Sequence, residues 1–284
     1  MKAGVFLKEI RIEHTLFALP FAYTGAIVAA RGIPSWSALV WITLAVLGAR
    51  TAAMAINRYL DKDIDARNPR TARRALASGK LSSASMLWAT AAGLALLVWS
   101  AWMLNPLCVK LLPIAALLLL AYPLCKRFTW TAHFVLGAVD GLAPLGAYVA
   151  ITGGFGWPAV LLFVAVTLWV AGFDIIYSCQ DYEFDNALQL YSVPRWCGIR
   201  NALIIARVLH VLMIVSLLML VWQLQLGLLS VAGVAAVACL LIYEHGIVKA
   251  DDLSRVNAAF FTMNGWVSVL FFVFWAADVW LIHQ

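Results

Sequence analysis

The sequence predicts an all-α polytopic membrane protein, a bundle of about nine helices of membrane-spanning length. Three observations carry that prediction. Apolar residues make up 64% of the 284 positions and charged residues only 12%, whereas a soluble domain is about half apolar and a quarter charged. Mean hydropathy is +0.90, and thirteen tryptophans suit two interfacial belts. Apolar runs also recur at spanning length, near 14–31, 36–60, 83–104, 107–124, 131–151, 158–180, 203–224, 227–248 and 259–282.

In chain order, Phe6 to His14 mixes apolar and charged residues and is expected to lie along the interface. The first run continues from Thr15 through Ala30 with no small-residue cleavage site ahead of a soluble domain, so a cleavable signal peptide is not expected. Later runs are punctuated by turn formers: Arg31-Gly32-Ile33-Pro34, Asn105-Pro106, Thr152-Gly153-Gly154 and Gln225-Leu226-Gly227. No linker or low-complexity tract interrupts the chain, so residues 1–284 are expected to form a single domain. The five cysteines show no metal-ligand spacing and are read as small packing hydrophobes.

The net charge of +6 raises nucleic acid as a partner, but the placement of the basic residues argues against it. Of twenty, all but Arg31, Lys110 and the intramembrane Arg50 fall in segments that alternate to one side of the membrane. The positive-inside rule makes that side cytoplasmic, with the N-terminus inside and the C-terminus outside. The second and sixth spans then both end at the cytoplasmic face, which suggests two similar halves.

Those two ends carry the chemistry. Asn57, Asp61 and Asp65 follow one another at i, i+4 steps, each drifting only about 40° around a helix, so their oxygens share a face. Clustered carboxylates repel unless a cation joins them, and hard oxygen donors suit Mg²⁺. The arginines that follow, Arg70 and Arg74 among them, suit a diphosphate held by that metal. Asp174, Asp181 and Asp185, at i, i+7 and i+11, form the answering face, while Asp63 and Glu183 fall off the two faces and are read as solvated charges.

Deeper in the bilayer, ionisable groups need a partner or a cavity. Arg50 and Asp174 are expected either to pair with each other across spans or to face a cavity, with Arg50 open to a substrate carboxylate. Asp140 is flanked by Gly137, Gly141 and Pro144, which permit a helix break or a close helix contact, and takes no assigned role. Tyr122 and Lys126, one turn apart, either anchor the fourth span with Arg127 or bind diphosphate oxygens. Asn264 is expected to hydrogen-bond a neighbouring helix.

Together these motifs resemble the UbiA superfamily of intramembrane prenyltransferases over nearly the whole chain. Asn57, Asp61 and Asp65 with Arg70, Thr71 and Arg74 look like its first motif, Asp181 and Asp185 like its second, and Tyr122 with Lys126 like its Tyr-x-x-x-Lys element. One departure is Ala75 after Arg74, where many members carry proline; a local shift of the loop is expected, with no ligand lost. Arg11-Ile12-Glu13-His14-Thr15-Leu16-Phe17-Ala18-Leu19-Pro20 and Leu190-Tyr191-Ser192-Val193-Pro194 look like the 4-hydroxybenzoate polyprenyltransferases, including the branch in the futalosine route to menaquinone.

The resemblance implies Mg²⁺-dependent transfer of a polyprenyl group from polyprenyl diphosphate to a small aromatic acid in quinone synthesis. The acceptor is 4-hydroxybenzoate or, alternatively, a hydroxynaphthoate. Asn57, Asp61, Asp65, Asp181 and Asp185 would be the metal ligands, and Arg70, Arg74, Tyr122 and Lys126 the diphosphate ligands. Arg50 and Asp174 would serve the acceptor. The expected setting is a bacterial-type inner membrane with the site facing the cytoplasm, and no protein partner or nucleic acid is required. Haem- or chlorophyll-type prenylation and, outside the family, a cation- or proton-coupled transporter are the competing readings; a transporter would place its acids at the midplane rather than at one face.

Overall fold

The computed structural model describes residues 2–10 and 15–282. Arg11, Ile12, Glu13 and His14, named above for the interfacial segment and the resemblance, lie outside the described residues. A short helix α1 (Lys2–Glu9) precedes α2 (Thr15–Ala30), α3 (Trp36–Arg67), α4 (Ser83–Leu104), α5 (Pro106–Cys125), α6 (Ala132–Thr152) and α7 (Trp157–Ser178). A 3₁₀ turn at Cys179–Asp181 leads into α8 (Tyr182–Leu188) and α9 (Val193–Cys197), then α10 (Ile199–Leu224) and α11 (Leu228–Ile247). A helical turn α12 (Val256–Ala258) and a π turn at Ala259–Met263 open α13 (Asn264–Ile282). No β-strand occurs among the described residues; Lys249 and Asp252 form an isolated bridge.

Among those residues eight helices are long and apolar enough to cross a membrane; the apolar part of α2, Ala18–Ala30, is shorter. The expected runs thus appear as helices close to their predicted limits. Ser35 and Ser82 cap α3 and α4 by accepting the Ala38 and Ser85 amides, and Asn105 caps α5 ahead of Pro106 by accepting two amides. At the other ends the predicted turns adopt left-handed backbone: Gly153 at φ 66°, Arg31 at 49° and Gln225 at 51°.

Each long helix packs on its chain neighbour, and α13 returns to α2, so the bundle closes as a ring with α2 also against α6. Without a hydrophobic force between helices in lipid, small residues set the closest crossings. A Cβ at Gly48 would stand 2.7 Å from the Gly93 carbonyl oxygen, and one at Gly93 2.6 Å from that of Gly48, so α3 and α4 meet backbone to backbone. A Cβ at Gly137 would strike the Thr167 carbonyl in the same way, and α6 runs unbroken through Pro144. Of the alternatives for the Gly137–Pro144 stretch, close contact is the one realised. The largest core cluster joins Phe21, Trp169, Phe271 and Trp275 from α2, α7 and α13.

The arginine-rich loop after α3 is pinned from the N-terminal side. The Glu9 carboxylate, 6% exposed, accepts the Ala75 amide at 2.7 Å and the Leu76 amide at 3.2 Å, while its carbonyl accepts from Arg58 Nε. Ala75 supplies an N–H that the family's proline lacks, so the departure is used as an anchor. Glu9→Ala leaves these buried amides unpaired and is expected to cost about 2 kcal/mol. A melting transition in detergent equal to that of the unmodified protein would refute this anchoring.

Candidate active site

Helix α3 stays regular to Arg67, so Asn57, Asp61 and Asp65 share one face as their spacing requires. The second acidic segment is not a continuous helix. Helix α7 ends at Ser178, Asp181 sits in the 3₁₀ turn and Asp185 in α8. The expected i, i+7, i+11 helical face is therefore corrected to a bent one, and the bend turns Asp181 toward the loop after α3. Asp61, Asp65, Asp181 and Asp185 line one cavity, and Asp63 and Glu183 are exposed, as expected.

The two segments touch directly. Asn68 Nδ2 donates to Asp181 Oδ1 at 2.9 Å, Arg70 Nε donates to the same oxygen at 3.0 Å, and Arg70 Nη2 pairs with Asp181 Oδ2. Arg70 Nη1 also donates to the Tyr177 hydroxyl at 2.7 Å. Burial opposes the charge on Arg70, but the bonds to Asp181 outweigh it and hold its pKa above the ordinary value. Arg74 Nη1 lies 2.8 and 2.7 Å from the two oxygens of Asp65. Lys126 pairs with Asp61 at 2.5 Å, and Ser192 Oγ donates to Asp185 at 2.8 Å. Carboxylates that would repel are thus each held by a cation or a hydroxyl, and the two segments form one mouth. Tyr122 lines it with its hydroxyl donating to the Ala53 carbonyl at 3.3 Å, and Asn57 Oδ1 accepts from Arg58. Arg127 donates to the Leu60 carbonyl, which leaves Lys126 as the cation of that pair aimed into the site.

These residues fit a hard divalent cation. Asp61 is 2% exposed, and its buried Oδ1 has no hydrogen-bond partner, with Arg127 Nη2 at 3.9 Å. An anionic oxygen left so is poised for a ligand. No three Asp, Glu, His or Cys residues among those described gather around one point. That is compatible with Mg²⁺, which takes one or two carboxylates and completes its shell with phosphate oxygens and water.

Beneath the mouth a second chamber shares Asn57, Arg74, Tyr122, Asp174 and Tyr177 with it. Its wall is aromatic. Phe21 and Trp169 lie 4.9 Å apart, Trp169 and Phe173 5.0 Å, Phe173 and Phe260 5.3 Å, and Tyr177 and Phe260 4.2 Å between ring centroids. Arg50 and Asp174 do not pair here. Arg50 Nη1 donates to Asp140 Oδ1 at 2.7 Å, giving Asp140 the role its sequence context left open, while Asp174 Oδ2 meets His133 Nδ1 at 2.7 Å. The expected Arg50–Asp174 pair is thus corrected to two separate pairs, and the buried Nε of Arg50 lacks a hydrogen bond at the chamber wall. Asn264 accepts from Trp169 Nε1 at 2.9 Å, the expected interhelical bond. Beyond Arg50 and Asp140 an apolar cavity continues between α3, α4, α5 and α6, past Ala45, Leu97, Leu111 and Leu119 to the half-exposed Ile114.

Sequence reasoning missed Asn68, His133 and Tyr177. Asn68 continues the Asn57 face one turn past Asp65, and Tyr177 stands between Asp174 and Asp181 at helical spacing, so both carried a readable signal. His133 carried none, because its partners lie in distant segments.

The profile of the UbiA prenyltransferase family matches residues 18–276. The 4-hydroxybenzoate octaprenyltransferase of Aliivibrio fischeri strain MJ11 is 32% identical, covering 98% of this chain and 97% of that protein. The one of Vibrio campbellii is 30% identical over 93% of each. Among solved structures, the apo structure of a UbiA homolog from Aeropyrum pernix K1 matches with a TM-score of 0.86 at 34% identity, covering 94% of this chain and 98% of that one. A UbiA homolog from Archaeoglobus fulgidus bound to GPP and Mg²⁺ shares the fold, with a TM-score of 0.76 at 20% identity over 97% of this chain and 99% of that one.

Proposed function

The chain belongs to the UbiA prenyltransferase family, and on that premise we propose that it transfers a polyprenyl group from polyprenyl diphosphate to the ring of 4-hydroxybenzoate. One observation carries the reading: a mouth of paired carboxylates and cations opens onto an aromatic chamber that ends at an incompletely bonded arginine. The names of the relatives support the choice of acceptor.

Asn57, Asp61, Asp65, Asp181 and Asp185 would hold Mg²⁺, which when bound supplies Lewis-acid charge to the diphosphate leaving group. Arg70, Arg74 and Lys126 offer donors on the mouth to the diphosphate oxygens, where negative charge grows as the allylic C–O bond breaks, while Tyr122 lines the same mouth with its hydroxyl donated to the Ala53 carbonyl. The apolar cavity takes the isoprenoid tail and lets it enter from lipid. The rings of Phe173, Tyr177 and Phe260 face the allylic cation and exclude water that would otherwise capture it as the alcohol. Arg50 holds the acceptor carboxylate, which aims the ring carbon ortho to the hydroxyl at that cation. A carbon–carbon bond forms there, and the displaced ring proton passes to Asp174. The concentration of basic residues near the mouth supports a cytoplasmic orientation in a bacterial inner membrane.

Membranes containing the protein, supplied with polyprenyl diphosphate, Mg²⁺ and paired 4-hydroxybenzoate and hydroxynaphthoate, are expected to yield prenylated 4-hydroxybenzoate by mass spectrometry. Prenylation of the naphthoate alone would reassign the acceptor, and the absence of any prenylated aromatic acid would overturn the reading.

A further inference from the structure

His133 lines the mouth and is bonded at both ring nitrogens. The Val193 amide donates to Nε2 at 3.2 Å, and Nδ1 lies 2.7 Å from Asp174 Oδ2. An amide N–H can only donate, so Nε2 must be the unprotonated nitrogen and Nδ1 must carry the hydrogen. The imidazole is thereby fixed neutral, and Asp174 is fixed as the acceptor of its bond. Protonating Nε2 would set one N–H against another and break the Val193 contact.

The bond to Val193 gives this arrangement a reach beyond Asp174. Val193 is the first residue of α9, fully buried, and follows Ser192, whose hydroxyl holds Asp185 in the second acidic segment. A short path therefore runs from Asp185 through Ser192, Val193 and His133 to Asp174. His133 itself is 5% exposed, packed at the first turn of α6. Among the described residues Asp174 Oδ1 makes no hydrogen bond, and Asp174 lines both the mouth and the chamber.

We propose that His133 is a positioning residue: its Nδ1–H clamps Asp174 with Oδ1 presented to the acceptor ring, and its Nε2 makes that aim depend on the seating of the Ser192–Val193 turn beside Asp185. The proposal rests on the reading of the chamber as the acceptor site. It predicts a rotamer and tautomer requirement that a merely space-filling histidine would not have. Asparagine places an amide nitrogen close to the position of Nδ1 and can keep the bond to Asp174; alanine keeps neither bond.

The test compares His133→Ala and His133→Asn in the full-length protein in lipid nanodiscs, each alone and with Asp174→Asn. His133→Ala is expected to lower kcat about 10²-fold, the order of loss that a misaimed group causes. KM for the prenyl diphosphate should stay within about twofold, which separates positioning from loss of binding. His133→Asn should recover most of kcat, and His133→Ala should add little to the loss in Asp174→Asn. Full kcat in His133→Ala, no recovery by asparagine, or additive losses would overturn the proposal. Nitrogen-15 spectra of histidine-labelled protein, with the His133→Asn protein as the assignment control, decide it without turnover. They should show the Nδ1–H tautomer at His133, and an Nε2–H tautomer or an imidazolium at neutral pH would overturn it. If no aromatic acid is prenylated by the unmodified protein, the reading of the chamber fails while the spectra still report on the clamp.

Discussion

Asp61→Ala and Asp181→Ala are each expected to cut turnover by about 10³-fold, the scale on which removing a preorganised electrostatic element acts, while both proteins still insert. The two residues sit on opposite sides of the mouth and lose different things. Asp61 is buried, pairs with Lys126 and keeps one oxygen without a hydrogen bond. Its removal takes away a ligand proposed for Mg²⁺ and strands the Lys126 charge. Asp181 anchors Arg70 and Asn68, so its removal also loosens the polar contact between the two acidic segments, leaving the Arg70 bond to the Tyr177 hydroxyl. Asp63→Ala is the control, because Asp63 is two residues from Asp61 on the same helix yet exposed. It should keep turnover at the level of the unmodified protein. Steady-state rates at saturating Mg²⁺ and prenyl diphosphate, with membrane insertion checked by extraction, provide the measurement. Unchanged turnover in both aspartate variants would remove the basis for a metal-held diphosphate.

What could be read beforehand was whatever the chain encodes locally. Apolar runs of spanning length set the helices, and the 4-residue spacing of Asn57, Asp61 and Asp65 placed three oxygens on one face of α3. The same rule misjudged the second segment, since nothing in Tyr177-Ser178-Cys179-Gln180 announces that the helix tightens into a 3₁₀ turn before Asp181. Partners across helices were hidden for a more basic reason. Arg50 meets Asp140 ninety positions away, and Asp174 meets His133 forty-one positions back. Intramembrane charge says that a partner exists, not which helix brings it. The same holds for Glu9 and Ala75, where a departure from the family pattern became legible only once α1 was seen against the loop.

Arg50→Gln is expected to raise KM for 4-hydroxybenzoate about 10²-fold, in line with the 2–5 kcal/mol lost when one member of a buried charge pair is truncated. KM for the prenyl diphosphate should move less than about twofold. The side chain of Arg50 is 14% exposed, and that of Asp140 19%, so the pair is screened from bulk water and its geometry is held. Asp140 engages only Nη1, leaving a buried Nε without a bond at the wall of the aromatic chamber. A planar guanidinium tethered on one side is a directed fork for a carboxylate on the other, a role that the point charge of lysine does not fill. The decisive comparison is therefore between acceptors. The unmodified protein should prefer 4-hydroxybenzoate over 4-hydroxybenzamide, and Arg50→Gln should erase most of that preference by losing the acid while keeping the amide. Equal loss on both acceptors would mean that the Arg50–Asp140 pair only braces α3 against α6, and the acceptor carboxylate would need another partner.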